Sequence, residues 1–288
     1  MTDSNVVGKT AFVLAGGGSL GAVQVGMLAE LIANGVQPDF IVGVSAGALN
    51  GAFLAFEPSI NMVERMAVLW STITTREVLG LSWRSLLGIV GLRNHIASPR
   101  GLHSLLLREL PYQDFADAAV PLYLVCAELV TGNEVVLSSG DITKAVLAST
   151  AIPGVFPPVE HEGRFLVDGA VTSGTPISVA VAHGASRIIV LPCGFACAEK
   201  TVARGAVGRA IHAISLLGAS QLRRDFERYS TLCQIHIAPP LCPMTQSSFD
   251  YSKGTDLIAR GRVVTRQWIN EGGLGRGDFP AQLSIHSH

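Results

Sequence analysis

Charge is scarce in this 288-residue chain: Asp, Glu, Lys and Arg make up 15% of it, against about 25% in an average globular domain. The 21 basic and 22 acidic side chains leave a formal net charge of -1, so the basic footprint of a nucleic-acid binder is missing. Aromatics are also few, at 6%. Cysteine is limited to Cys126, Cys193, Cys197, Cys233 and Cys242. An odd, scattered set suits reduced thiols in a cytoplasmic setting better than a disulfide framework. Cys193 and Cys197 have no second pair at zinc-ligand spacing, and no metal is expected. No apolar run reaches the ~18 residues of a membrane span; the nearest, 40–56, is interrupted by Ser45, Asn50 and glycines. The N-terminus carries Asp3 and lacks the basic and long apolar regions of a signal peptide.

What the chain does have is apolarity and glycine. The hydrophobic fraction is 48%, with 31 glycines, and the mean hydropathy of +0.40 excludes a disordered chain. Apolar, β-branched runs alternate with helical patterns, which predicts parallel βαβ units in one α/β domain. Strands are expected at Thr10–Leu14, Phe40–Val44, Pro121–Cys126, Glu134–Leu137, Phe165–Val167, Arg187–Leu191 and Gln234–Ile237. Leu20, Val23, Met27, Leu28 and Leu31 follow helical spacing up to Asn34-Gly35, and Ala46–Phe56 is helical again. Asp141 is placed to cap a helix through Ala148. Further helices are expected near Val207–Tyr229 and Gly254–Trp268, and Gly272–Gly277 as a flexible tail. Trp70–Leu110 is apolar without clear periodicity. Within it, Trp83–Leu107 reads either as a lid or acyl-chain groove or as an ordinary packed helical insertion.

Gly43-Val44-Ser45-Ala46-Gly47 is a G-x-S-x-G sequence between a predicted strand and a predicted helix. That context is what a nucleophile elbow requires, a tight turn that lifts a serine hydroxyl over the sheet. Taken alone, it equally describes a glycine-rich βα loop. Upstream, Gly16-Gly17-Gly18-Ser19-Leu20-Gly21 gives G-x-G-x-x-G at the start of a helix. A dinucleotide site would need an acid at the end of the second strand. Asp39 precedes that strand, and Ser45 occupies the place where a ribose would lie. The glycine loop has another use: the amides of Gly16, Gly17 and Gly18 at a helix N-terminus could stabilise an oxyanion beside Ser45. A triad histidine would follow the acid, but His183, His212, His236, His286 and His288 stand in no obvious catalytic turn. Surface or satisfied core histidines are expected.

Together, the glycine loop, Gly43–Gly47, Ala148–Pro158 and Asp168-Gly169-Ala170, in that order, resemble the patatin-like phospholipases. The resemblance covers residues 10–182, with residues 183–288 continuing the same α/β domain and the tail starting at about 272. It implies a three-layer α/β/α fold with a mainly parallel central sheet and hydrolysis of lipid acyl esters without a cofactor. By the same resemblance Ser45 matches the nucleophile, Asp168 the base of a Ser-Asp dyad, and Gly16 to Gly18 the oxyanion loop. Gly21, Gly43, Gly47, Gly169 and Ala170 complete the motifs. Its partners would be a lipid or ester substrate and, peripherally, a membrane surface. An ordinary Asp, with pKa near 3.9, is a weak base for an alcohol, so burial has to raise the basicity of Asp168. The family commonly carries Arg or Lys where this chain has Leu20, which opens the head-group preference to neutral lipids, short-chain esters or thioesters. The alternatives are a dinucleotide-binding protein and a catalytically silent lipid-binding relative.

Overall fold

The computed structural model describes residues 8–80, 96–194, 206–244 and 246–283. Its centre is an eight-stranded sheet formed by β1 (Lys9–Leu14), β2 (Phe40–Val44), β3 (Leu122–Glu128), β4 (Glu134–Leu137), β5 (Val159–His161), β6 (Arg164–Asp168), β7 (Ala185–Leu191) and β8 (Gln234–Ile237). Strands β3, β2, β1, β7 and β8 are neighbours in that order and parallel. β4, β5 and β6 add antiparallel pairings on the β3 side.

The layers follow from the two-residue period of a strand, which sends alternate side chains to opposite faces. Phe12, Leu14, Ile41, Leu124, Ile189 and Leu191 enter one core; Val13, Val42, Val44, Ile188, Val190 and Ile235 enter the other. The first face is covered by α1 (Gly21–Ala33), α2 (Ala46–Phe56), α3 (Ile60–Thr72), α4 (Thr75–Leu79), α5 (Arg100–Glu109), α6 (Ile142–Ser149) and α9 (Gly254–Asn270). The second is covered by α7 (Ile177–Ala182) and α8 (Ala206–Tyr229). This is a three-layer α/β/α fold with a mainly parallel sheet, and burial on both faces explains why β1 and β2 read as unbroken apolar runs. α9 lies tightly along α1 because Gly26 and Gly261 leave room: a Cβ on Gly26 would sit 2.2 Å from the Ile258 carbonyl oxygen. Arg266 clamps buried Glu30 across that contact with two 2.9 Å hydrogen bonds, which holds the Glu30 carboxyl below its usual range.

Several details differ from the sequence reading. α3 carries a signal the reading passes over, since Met62, Val63, Met66, Leu69 and Trp70 are buried at helical spacing and Ser59 caps the Met62 N–H. β5 is too short to stand out. The segment after α9 is no loose tail: Gly272 makes the turn at φ 81°, then the Leu274 and Arg276 carbonyls meet Arg187 and His236 and Phe279 packs on Phe226. Of its glycines, Gly272 serves the turn. In the Trp83–Leu107 region, Leu102, Leu105 and Leu106 of α5 are packed inward; residues 83–95 lie outside the described residues, as do Cys197, His286 and His288. No helix among the described residues is long and apolar enough to cross a membrane.

Candidate active site

β3 has three partners but only two edges, and this places the site. β4 pairs with Leu124–Ala127 on one edge. β2 (opposite Leu122–Val125) and β6 (opposite Cys126–Glu128) each overlap that span and must therefore share the other edge. They approach from opposite ends: Val44 is in register with Val125 and Asp168 with the next residue, Cys126. Ser45 and Asp168 consequently meet head to head, although they are far apart in sequence. The Ser45 hydroxyl donates to Asp168 Oδ2 at 2.6 Å.

Each partner is held from several sides. Ser45 adopts φ 55° and ψ -122° between β2 and α2, a conformation that L residues rarely take and that surrounding structure has to enforce. Its carbonyl accepts from the Ala48 and Leu49 amides. Its N–H donates to Ser149 Oγ at 3.0 Å, and that hydroxyl in turn donates to the Val125 carbonyl at 2.7 Å. The flanking glycines are required by space: a Cβ on Gly47 would lie 2.1 Å from the Leu14 carbonyl oxygen, and one on Gly43 would lie 2.5 Å from that of Gly47. A Cβ on Gly169 would likewise strike the Val125 carbonyl. Asp168 accepts the Ala170 N–H on Oδ1 at 2.8 Å, and its own N–H donates to Ala151 at 3.0 Å. The Ala148–Pro158 stretch thus touches both residues through Ser149 and Ala151.

Ser45 is 5% exposed and Asp168 3%. Burial disfavours the carboxylate and pushes its pKa up from 3.8 to about 6, against the opposing pull of the hydrogen bonds from Ser45 and Ala170. Burial raises the Cys126 thiol as well, so it stays protonated beside the pair.

The glycine loop lies alongside because β1 and β2 are adjacent and parallel. A Cβ on Gly16 would stand 3.2 Å from that of Ser45. The three glycine amides are not equivalent, however. That of Gly16 is already donated to the Gly174 carbonyl at 3.1 Å, which takes Gly16 out of the expected donor set. Among the described residues, the Gly17 and Gly18 amides donate to no acceptor. Gly17 has Cys193 beneath it, leaving no room for a side chain, and Gly18 takes φ 59° against the Ser248 carbonyl. Leu20 is buried in the core close to Gly194.

A polar network that the sequence did not announce anchors this loop. Gln24 Nε2 donates to the Ala15 and Leu191 carbonyls at 2.9 and 2.8 Å. Asn50 Nδ2 donates to Gln24 Oε1 and to the Gly21 carbonyl, and the Trp70 indole N–H donates to Asn50 Oδ1. All of its polar ends are satisfied, which rigidifies a buried site. Its signal was two amides, Gln24 and Asn50, on otherwise apolar helices.

The rival groups lie elsewhere. Asp39 accepts the Thr10 N–H at the N-terminal end of the sheet, opposite the glycine loop. His183 stacks on Tyr123 with ring centroids 3.8 Å apart. His236 contacts the Arg276 carbonyl through Nδ1, and burial lowers its pKa. Among the described residues, no histidine hydrogen-bonds to Ser45 or Asp168.

The family comparison agrees with the motifs of this site. The family model described as "Patatin-like phospholipase" matches residues 12–181, more than half of the chain. Patatin-like phospholipase domain-containing protein 7 of Rattus norvegicus is 28% identical over 186 residues, covering 64% of this chain and 13% of the relative. An uncharacterized NTE family protein of Mycobacterium tuberculosis is 29% identical over 178 residues, covering 62% of this chain and 29% of the relative. The chain therefore spans less than a third of the length of each of these two relatives. Among solved structures, VipD from Legionella pneumophila gives a TM-score of 0.48 at 14% identity, covering 92% of this chain and 67% of that one. On the extent of the family match, this chain belongs to the patatin-like phospholipase family.

Proposed function

We propose that the chain is a lipid acyl hydrolase working through an acyl-Ser45 intermediate, with Asp168 as the base. The observation that carries this reading is the 2.6 Å hydrogen bond from a strained serine to a buried carboxylate, set beside two amides that have no acceptor among the described residues. The Ser45 oxygen attacks the ester carbonyl carbon as its proton passes to Asp168. The resulting oxyanion faces the Gly17 and Gly18 amides, where one such donor is typically worth about 3 kcal/mol of transition-state stabilisation. Collapse breaks the bond to the alcohol, which takes the proton from Asp168. Water then gives a proton to Asp168 and its oxygen attacks the acyl-enzyme; collapse returns the proton to Ser45 and releases the fatty acid.

Two properties support Asp168 as a base without an imidazole. A carboxylate with a pKa of about 6 is ionised at neutral pH yet more basic than an exposed one, as general base catalysis favours. Its direct contact with the hydroxyl needs no relay. Leu20 supplies no positive charge to a phosphate, so the reading extends to neutral esters as well as phospholipids.

The test is turnover of a p-nitrophenyl acyl ester, together with labelling by a fluorophosphonate. Wild-type protein should hydrolyse the ester and label at Ser45, whereas Ser45→Ala and Asp168→Asn should lose turnover while remaining folded. Near-wild-type turnover in either variant would overturn the dyad. Lipid binding without labelling or turnover would identify a silent relative instead.

A further inference from the structure

α8 differs from the other helices that cover the sheet. Leu222 is fully buried and Phe226 and Tyr229 pack beside it, which fixes the inward face. Helical periodicity then places Leu217, Arg224 and Arg228 (i, i+7, i+11) on one outward line, with Leu216 and Arg223 alongside. All five are exposed; Leu217 is 68% exposed and Leu216 49%. Arg223, Arg224 and Arg228 on this stretch are exposed against two acids, exposed Glu227 and half-buried Asp225, which leaves an excess of one positive charge in a chain whose net charge is -1; Arg223 also lies over the Phe279 ring.

The inward side of α8 adjoins the candidate site. A Cβ on Gly174 would lie 3.6 Å from Gly218 Cα, the Gly174 carbonyl holds the Gly16 amide, and Gly16 abuts Ser45. Val171, three residues beyond Asp168, is half exposed in the turn on which α8 packs.

We propose that the outward face of α8, with Val171, docks on a lipid surface carrying anionic head groups. Leucines beside arginines on a helix that is polar overall are the composition of an element lying in the plane of a membrane interface. The positive stripe is complementary to anionic lipid. A protein-recognition centre would be expected to present aromatic anchors, and this face exposes Leu, Ala, Ser, Arg and Glu. A self-complementary contact with a second copy would set a net-positive face against itself. That docking brings membrane esters to Ser45 rests on the acyl hydrolase reading; the binding itself does not.

The experiment is co-sedimentation of the full chain with phosphatidylcholine vesicles, with and without phosphatidylglycerol, for the wild type and four variants. Wild-type protein and Ser45→Ala should bind the anionic vesicles alike and release them as salt is raised. Leu216→Gln with Leu217→Gln, and separately Ser220→Glu on the same outward line, should lower partition by about tenfold. Arg223→Gln with Arg224→Gln should do the same on anionic vesicles only. All three should keep wild-type turnover of a soluble short-chain ester, which also reports that they are folded. Equal wild-type binding to both vesicle types would overturn the proposal, as would variants that bind like the wild type, or a solution dimer dissociated by the leucine changes. If Ser45→Ala binds vesicles but hydrolyses esters as well as the wild type does, docking stands and the proposed function fails.

Discussion

The two ends of the sheet each hold an aspartate that accepts a backbone N–H, and the contrast between them is instructive. At the N-terminal end, Asp39 takes the Thr10 amide in an exposed setting, beside a plain aromatic closure of Phe40, Tyr123 and His183. At the C-terminal end, Asp168 takes the Ala170 amide but is buried and also receives the Ser45 hydroxyl. The parallel strands supply the asymmetry. Helix N-termini gather where these strands end, bringing backbone amides and positive partial charge; among the described residues, the other end holds Asp39 and the aromatic closure instead. One residue type on one sheet thus ties strands together at one end and, in our reading, takes a proton at the other.

The sharpest way to break this contrast is to neutralise both carboxylates. Asp168→Asn should lower kcat by roughly 10³-fold, within the range of general base catalysis, whereas Asp39→Asn should leave turnover within about twofold of wild type. Comparable losses in the two variants would erase the distinction. The pH profile of kcat/KM should rise with pH and level off above a midpoint near 6, because the ionised Asp168 is the active form. A profile flat from pH 5 to 8 would remove Asp168 from the base role.

Stability should respond in the opposite sense at the same residue. The folded carboxyl, at about 6 against 3.8 in its ordinary state, holds a proton that the unfolded chain has released. Folding stability is therefore lost as pH rises between those values, by up to about 3 kcal/mol. Asp168→Asn should be more stable than wild type at pH 7, with the gap closing near pH 4; denaturant unfolding at both pH values reads this directly. Asp39→Ala, which removes the acceptor of the Thr10 N–H, should instead cost about 1 kcal/mol, the worth of an ordinary hydrogen bond. A smaller loss of turnover than that of Asp168→Asn belongs to a residue that only positions. Ser149→Ala removes the acceptor of the Ser45 amide and should reduce kcat by about tenfold with little change in KM. Unchanged kcat would show that the glycine contacts alone hold the turn.

Much of this was legible in the sequence where structure is local. β2 and α2 follow an apolar run and a helical face on either side of Ser45, so the elbow stood out from its own neighbours. The head-to-head approach of β2 and β6 was not legible, because it depends on which edge of β3 each strand occupies. Gly16 illustrates the limit: its place in the loop was plain, but the use of its amide depends on Gly174, far along the chain. Ser149 was visible only as part of a motif, since its partners sit on β3 and at the elbow. The Gln24–Asn50–Trp70 network escaped notice for the same reason, as its hydrogen bonds join three helices.

The shared edge of β3 also bears on the order in which the molecule is made. Ser45 and Asp168 are 123 residues apart, and the carbonyl that secures Gly16 lies further on still. Pairings so distant form late, once the cost of closing the long intervening loops has been met. A growing chain therefore exposes its serine long before it can use it. In our reading, an incomplete copy emerging beside a membrane would be an unarmed hydrolase, switched on by the arrival of β6 rather than by any separate signal.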